Sequence, residues 1–422
     1  MNSKSEITIF GGVLMNIEEI IEKVANGQIK LHQVEKYTNG DKKLATEIRR
    51  KALEKKFRIS LKHVGHYSID PNEVIGKNIE NMIGVVQIPM GVAGPLRING
   101  EYAKGEFYIP LATTEGALVA SVNRGCSALT NAGGVKTTII DDKMTRAPLL
   151  KCPDARRARE VAEWVKENIS YLQEVAVSRV TRHGKLKDVK PFVVGNNLYL
   201  RFEFETGDAM GMNMVTIASE EIMKIIEEKF PDVRYLALSG NLCVDKKPNA
   251  INFILGRGKT VIAEAVIPRE IVEKKLKTTP EMIAEVNYRK NLVGSAQAGS
   301  YGFNAHFANI VGAIFLATGQ DEAQITEGAH GITLAEVTLE GDLYISITMP
   351  SLEIGTVGGG TRVPSQREAL SIMGVAGGGE PAGINAKKFA EIVAGAVLAG
   401  ELSLLAAIAA KRLAKAHKEL GR

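Results

Sequence analysis

Three cysteines occur in this sequence of 422 residues: Cys126, Cys152 and Cys243. They are odd in number and far apart, so neither a disulfide framework nor a CxxC metal site can be built from them, and a reducing, cytoplasmic setting is expected. The seven histidines are scattered without an HxxxH pair, and no metal is expected. GxSxG is absent. The phosphate-loop pattern GxxxxGK[ST] fails, because Gly258-Lys259-Thr260 has Phe253 where the first glycine belongs. Gly377–Ala382 fits GxGxxA, but Pro381 and the lack of a preceding strand deny it the strand–turn–helix setting of a dinucleotide fingerprint. Any nucleotide must be held by other means.

Long apolar runs are scarce too. The N-terminal one is too short to span a bilayer and lacks the layout of a signal peptide. The longest, Phe389–Ala410, is interrupted by Glu391 and Glu401. A charge at mid-membrane costs roughly 2.5–3.5 kcal/mol, so a buried helix is expected rather than a membrane span. Lys and Arg number 53 against 48 Asp and Glu, a net charge of +5, with 45% hydrophobic and 24% charged residues. This composition excludes disordered and collagen-like chains. Basic residues cluster at Lys42, Lys43, Arg49, Arg50, Lys51, Lys55, Lys56 and Arg58. They sit on a helix whose other face carries Leu44, Ile48 and Ala52. Glu47 and Glu54 dilute the cluster and no RNA- or DNA-binding motif accompanies it, so a solvated face is expected and no nucleic-acid partner.

Glycine is abundant instead, with 42 residues. Nine lie between 355 and 383, interspersed with Val357, Val363, Leu370 and Ile372, which suggests a packed, ligand-facing segment rather than a linker. Ile17, Ile20, Ile21 and Val24 repeat at helical spacing, with Gly27 as a stop. Asn99-Gly100 marks a hairpin between Leu96–Ile98 and Glu101–Ala103. Residues 134–238 read strand, helix, strand, strand, helix, strand. In this order, apolar Leu198, Leu200, Phe202 and Phe204 alternate with mostly charged residues to give a half-buried strand. The expected fold class is α+β: a small helical N-terminal domain (1–83), a large α/β domain (84–146 and 239–422), and an inserted ferredoxin-like βαββαβ domain (147–238).

Several segments are not explained by core packing. Thr113-Thr-Glu-Gly places Glu115 in the first turn of an apolar helix capped by Thr113 or Thr114. Gly207 and Gly211 can expose amides to an anion at a strand-to-helix junction. Asp245-Lys246-Lys247 precedes a proline in a loop. Asp321 follows the apolar run Ile310–Ala317, and His417 follows the apolar C-terminal helix.

Taken together, ENMIG…PMGVAGPL from Glu80, TTEGALVASVNRGC, DAMGMNM, DKKPNAIN, GQDEAQ and GTVGGGT resemble, in content and order, the 3-hydroxy-3-methylglutaryl-CoA reductase family. The resemblance runs from about residue 17 to the end and is closest to the soluble archaeal or bacterial enzymes of the biosynthetic class. It implies reduction of the thioester HMG-CoA to mevalonate and free CoA, with two hydrides from NADPH. A related reading on the same fold is NAD-dependent mevalonate oxidation. It also implies a homodimer with shared active sites, or a dimer of dimers, the DKK loop entering from the neighbouring subunit.

By the same resemblance Lys246 is the cation beside the carbonyl oxygen, where negative charge develops. His417 protonates the departing thiolate, Glu115 is the acid of the second reduction, and Asp321 bridges Glu115 and Lys246. Arg146, Ser239, Asp245, Lys247, Lys290, His306 and Asn309 match residues that hold the hydroxymethylglutaryl group. Ser121, Asn123, Arg124 and Lys277 match CoA contacts. Asp208, Met210, Gly211, Met212, Asn213 and Met214 match one cofactor loop and Gly358, Gly359 and Gly360 a second. Thr181, Arg182 and His183 match the site beside the adenosine ribose, where Arg182 is suited to a 2′-phosphate and so to NADPH. His183 and Gly184 depart from the family's commoner Phe-Ala. The run Gly377–Gly379 matches no contact.

Overall fold

A computed structural model of the chain describes residues 7–10, 13–181 and 184–411. It divides into two compact units, 1–89 and 90–422.

The first unit starts with an antiparallel hairpin, β1 (Ile7–Phe10) and β2 (Val13–Asn16). Asn16 then caps helix Ile17–Ala25 by accepting the Glu19 N–H, and the helix stops at Asn26 and Gly27, as its apolar period predicts. Ile20, Ile21 and Val24 meet Ala45, Ile48 and Ala52 of helix Lys42–Phe57 in one small core. The basic run is only partly a solvated face. Arg49 is fully buried, its Nε donating to the Leu31 carbonyl (2.8 Å) and its guanidinium pairing with Glu35 (2.8 Å). Lys51 pairs with Glu47 and Lys55 with Glu22.

The second unit is built on a mixed sheet. Its strands are β3 (Met90–Gly100), β4 (Lys104–Ala112), β5 (Val135–Arg146), β6 (Leu149–Lys151), β7 (Lys185–Val194), β8 (Asn197–Glu205), β9 (Arg234–Ala237), β10 (Gly258–Ile267), β11 (Gly302–Phe303), β12 (Gly331–Val337) and β13 (Leu343–Leu352). The path runs β11-β12-β13-β10-β5-β8-β6-β9, with β3 and β4 branching from β5, and β7 from β8. β5 joins two regions. Residues 136–143 pair with β10, and Met144–Arg146 pair with β8.

Strands β6 to β9, with helices Ala155–Glu167 and Met212–Lys229 between them, follow the expected βαββαβ order. Their spatial sequence β9-β6-β8-β7 is the ferredoxin-like one. The first strand of that motif is Leu149–Lys151 rather than residues 134–140, which belong to the larger part of the sheet. The two regions have separate apolar cores. In β8 the alternation correctly assigns the apolar face, but the other face is also covered: Arg201 is fully buried and Glu203 nearly so. The half-buried strand is in fact buried on both sides.

Helix Ile384–Ala409 is apolar all round and is the one helix among the described residues long and apolar enough to cross a membrane. Every residue from Phe389 to Ser403 is buried. Its two glutamates bind backbone donors. Glu391 accepts the N–H groups of Glu101 (2.9 Å), Tyr102 (2.9 Å) and Ala103 (2.5 Å), which form the turn between β3 and β4. The hairpin turn is therefore 101–103, just after the Asn99-Gly100 pair, which ends β3. Glu401 accepts from Ala305 N, His306 N (2.7 Å) and Thr333 Oγ1 (2.7 Å). A buried carboxylate with several donors avoids the cost of an unpartnered charge.

Candidate functional site

Lys246 lies in the long loop after β9, which includes three non-glycine residues with left-handed backbone, Asn241, Val244 and Lys246 (φ 61°). Its Nζ is 2.7 Å from Asp321 Oδ2. Asp321 is held in turn by its position: helix Phe307–Thr318 ends at Gly319 (φ 66°), and Asp321 caps the next short turn by accepting the Ala323 N–H. Hydrogen bonding to Asp321 holds the Lys246 ammonium above its ordinary pKa, against the opposing effect of partial burial. The pair thus keeps a fixed positive charge, half-exposed, at the mouth of a loop.

Behind this pair is a buried ion cluster that sequence reasoning missed. The fully buried Arg257 guanidinium contacts Glu353 (2.5 Å), Asp245 (3.1 Å) and Glu327 (3.6 Å). Oxygens of Asp245, Glu327 and Glu353 approach within 4.8 Å of one another, close enough to enclose a cation, and Arg257 is that cation. Burial pushes the Glu353 carboxyl well above the usual carboxylate range; Arg257 opposes this and the Glu327 charge adds to it. Burial also raises Glu327. Burial lowers Arg201 to about 10, which leaves it charged at neutral pH. One signal was present in the sequence: Glu353 is the single charge in residues 343–354, in and just after a strand rich in apolar residues, where a charge is costly unless paired.

Glu115 belongs to a second group. It precedes helix Leu118–Asn131 instead of occupying its first turn, because Ala117 (φ 70°) is the cap and makes no side-chain capping bond. Thr113 Oγ1 accepts the Glu115 N–H (3.0 Å), and Asn309 Nδ2 donates to Glu115 Oε1 (3.3 Å). His306 caps helix Phe307–Thr318; its Nε2 is 2.8 Å from the Gly400 carbonyl. Glu115, Asn309 and His306 therefore gather around helices 307–318 and 384–409. Among the described residues, no hydrogen bond or ion pair joins this group to Lys246 or Asp321. The expected bridge from Asp321 to Glu115 is not made within one chain.

The two glycine-containing loops do meet. Ala209 and Val357 form a parallel bridge, and the Asp208 carbonyl accepts from Thr356 N (2.8 Å). The Asp208 carboxylate faces inward. It accepts from Gly379 N (2.9 Å), Gly383 N (2.8 Å) and Ala386 N (2.9 Å), anchoring the start of helix Ile384–Ala409. That accounts for Gly379, and it gives the Asp208 carboxylate a role in supporting its loop. Gly358 (φ 85°) and Gly359 (φ 53°) would each point a Cβ into open space, while Gly360 packs on the Gly319 backbone beside Asp321. Gly211 caps helix Met212–Lys229 without a side chain, leaving its first-turn amides open to an anion. These loops fit a phosphate-bearing cofactor. Met212 Sδ accepts from Arg257, and Met210 and Met214 pack on the smaller core; Asn213 is exposed.

The remaining candidates are dispersed. Ser239 Oγ is 3.1 Å from Cys243 Sγ, Lys247 Nζ donates to the Asp245 carbonyl, and Lys290 is exposed beside Asn291. Arg146 ends β5, with its Nε buried. Ser121 and Arg124 bind Ser403, Asn123 accepts the Gly94 N–H, and Lys277 is exposed. Thr181 Oγ1 accepts the Gly184 N–H. Arg182, His183 and His417 lie outside the described residues.

The profile of the hydroxymethylglutaryl-coenzyme A reductase family matches residues 45–422. A protein named 3-hydroxy-3-methylglutaryl-coenzyme A reductase from Pyrococcus abyssi is 89% identical over 408 residues, 97% of this chain and 100% of that protein. Another of that name, from Methanocaldococcus jannaschii, is 59% identical over 412 residues, 96% of this chain and 100% of its own. The solved class II 3-hydroxy-3-methylglutaryl-CoA reductase of Streptococcus pneumoniae, bound to NADPH in open conformations, shares the fold. Its TM-score is 0.63 at 20% identity, over 78% of each chain.

Proposed function

This chain belongs to the hydroxymethylglutaryl-coenzyme A reductase family, and from that we propose how its residues divide the work of reducing HMG-CoA to mevalonate and CoA. The Lys246–Asp321 contact of 2.7 Å carries the reading. A thioester carbonyl gains negative charge on oxygen as it is reduced, and an ammonium kept protonated by a carboxylate stabilises that charge.

Two NADPH molecules, bound in turn, would supply one hydride each. The hold on each falls to the open backbone of Gly358 and Gly359 and the amides that follow Gly211, with Thr181, Arg182 and His183 at the adenosine end. Everything else is charge and proton handling by the chain. Lys246 stabilises the oxyanion. Breaking the carbon–sulfur bond releases a thiolate, which His417 protonates. The aldehyde that remains is reduced to an alkoxide, and Glu115, oriented by Asn309, donates the proton that completes the alcohol. Arg146, Ser239, Asp245, Lys247, Lys290, His306 and Asn309 hold the acyl group, and Ser121, Asn123, Arg124 and Lys277 the CoA.

The reading includes a homodimer with shared active sites, or a dimer of dimers, and a cytoplasmic enzyme. Two groups, Lys246 with Asp321 and Glu115 with Asn309, are each held in place, and among the described residues no hydrogen bond or ion pair links them. This supports a site completed by facing halves from two subunits. The three cysteines are buried and free, which suits a reducing compartment.

The test is oxidation of NADPH in the presence of HMG-CoA, followed at 340 nm, with NADH in parallel. Turnover with NADPH and formation of mevalonate are expected. No turnover would overturn the reading, and a clear preference for NADH would remove the role given to Arg182.

A further inference from the structure

The loop that carries Lys246 is held at five consecutive residues. The Leu242 and Cys243 carbonyls accept from Arg201 (2.7 and 3.3 Å), and the Val244 carbonyl accepts from Asn252 Nδ2 (2.8 Å). The Asp245 carboxylate accepts from Gln324 (3.0 Å) and pairs with Arg257 (3.1 Å). The Lys246 N–H donates to Glu327 Oε2 (3.2 Å). Asn252 also donates to the other Glu327 oxygen (3.0 Å), so that carboxylate is fixed at both ends.

This matters because Lys246 has φ 61°, a conformation disfavoured for a side-chain-bearing residue unless its surroundings impose it. Glu327 is fully buried and lies six residues beyond Asp321 on the same stretch of chain. One segment therefore supplies the acceptor for the Lys246 backbone and the acceptor for its ammonium.

We propose that Glu327, steadied by Arg257, is a positioning residue for Lys246: it clamps the Lys246 amide so that Nζ is delivered to Asp321. The proposal rests on the reading that Lys246 serves HMG-CoA reduction. Glu327 is fully buried and acts through the backbone of the lysine.

The test compares the full-length parent, Glu327→Ala and Glu327→Gln for kcat, for KM with NADPH and for melting temperature. Removing the acceptor should lower kcat about tenfold or more while KM for NADPH stays within about twofold. Glu327→Gln keeps an acceptor oxygen and should restore kcat to within about threefold of the parent. If Glu327→Ala does not fold, Glu327→Met fills the same space without an acceptor and takes its place. Parent-like kcat in the acceptor-free variant overturns the proposal. So does a Gln variant as slow as the Ala variant, or a joint collapse of kcat, NADPH KM and melting temperature. Failure of both acceptor-free variants to fold overturns it too, since the residue is then merely structural. A parent enzyme that does not turn over HMG-CoA sinks the functional reading instead, which keeps the two failures distinct.

Discussion

The Lys246 ammonium and the Asp321 carboxylate are 2.7 Å apart, with side chains 40% and 31% exposed. At that exposure the pair adds little to stability, so its consequence lies in protonation. Asp321 raises the Lys246 pKa, and the charged amine persists to higher pH than it would alone. In Asp321→Asn the alkaline fall of kcat/KM should begin at lower pH, and kcat should drop about tenfold or more. A pH–rate profile from about pH 7 to 10 checks it; an unshifted alkaline limb refutes it.

Lys246→Ala removes the oxyanion partner without touching any buried core. We expect kcat to fall by about 100-fold or more, with the melting temperature close to the parent's. Calorimetry and steady-state assays on the same preparation decide this, and near-normal turnover excludes the role.

Glu391 is the acceptor for three amides of the β3–β4 turn. Glu391→Ala leaves those donors without their acceptor and should cost about 1–3 kcal/mol or more, read as a lower midpoint in urea. A midpoint equal to the parent's would show that the turn holds itself.

His330 is 4% exposed, neither ring nitrogen has a hydrogen-bond partner among the described residues, and burial lowers its pKa. The unfolded chain takes up a proton near pH 6.5, at about the model-peptide value, while the folded chain resists it. Stability is therefore intact above that pH and is lost as pH falls through it. His330→Phe, beside Tyr301, should reduce the loss of melting temperature between about pH 7.5 and 5; equal losses in both proteins contradict this.

Much of the fold was legible because it depends on local periodicity. The apolar repeat from Ile17 and the alternation from Leu198 each indicated the right element. Local pattern could not show what covers the other face of a strand, so Arg201 and Glu203 read as solvated when they are buried. Nor could it place the β3–β4 turn, which is fixed by Glu391 nearly 300 residues later. The catalytic candidates were legible through family resemblance, and Asp321 also through its place after an apolar run. The cluster around Arg257 was not, because its members come from separate strands and loops and meet only once the sheet has formed. Glu115 lies outside its helix because Ala117 adopts a backbone conformation that its residue type does not announce.

Helix Ile384–Ala409 follows all thirteen strands found among the described residues. During synthesis the sheet emerges first, with the apolar surface this helix will cover still bare. Packing of the larger core must wait for the segment beyond Gly383, and Asp208 must wait for the amides it will hold. A nascent chain stalled before that point would present a half-built sheet with its apolar face bare, so emergence of this helix, rather than emergence of the sheet, sets the earliest time at which this core can close.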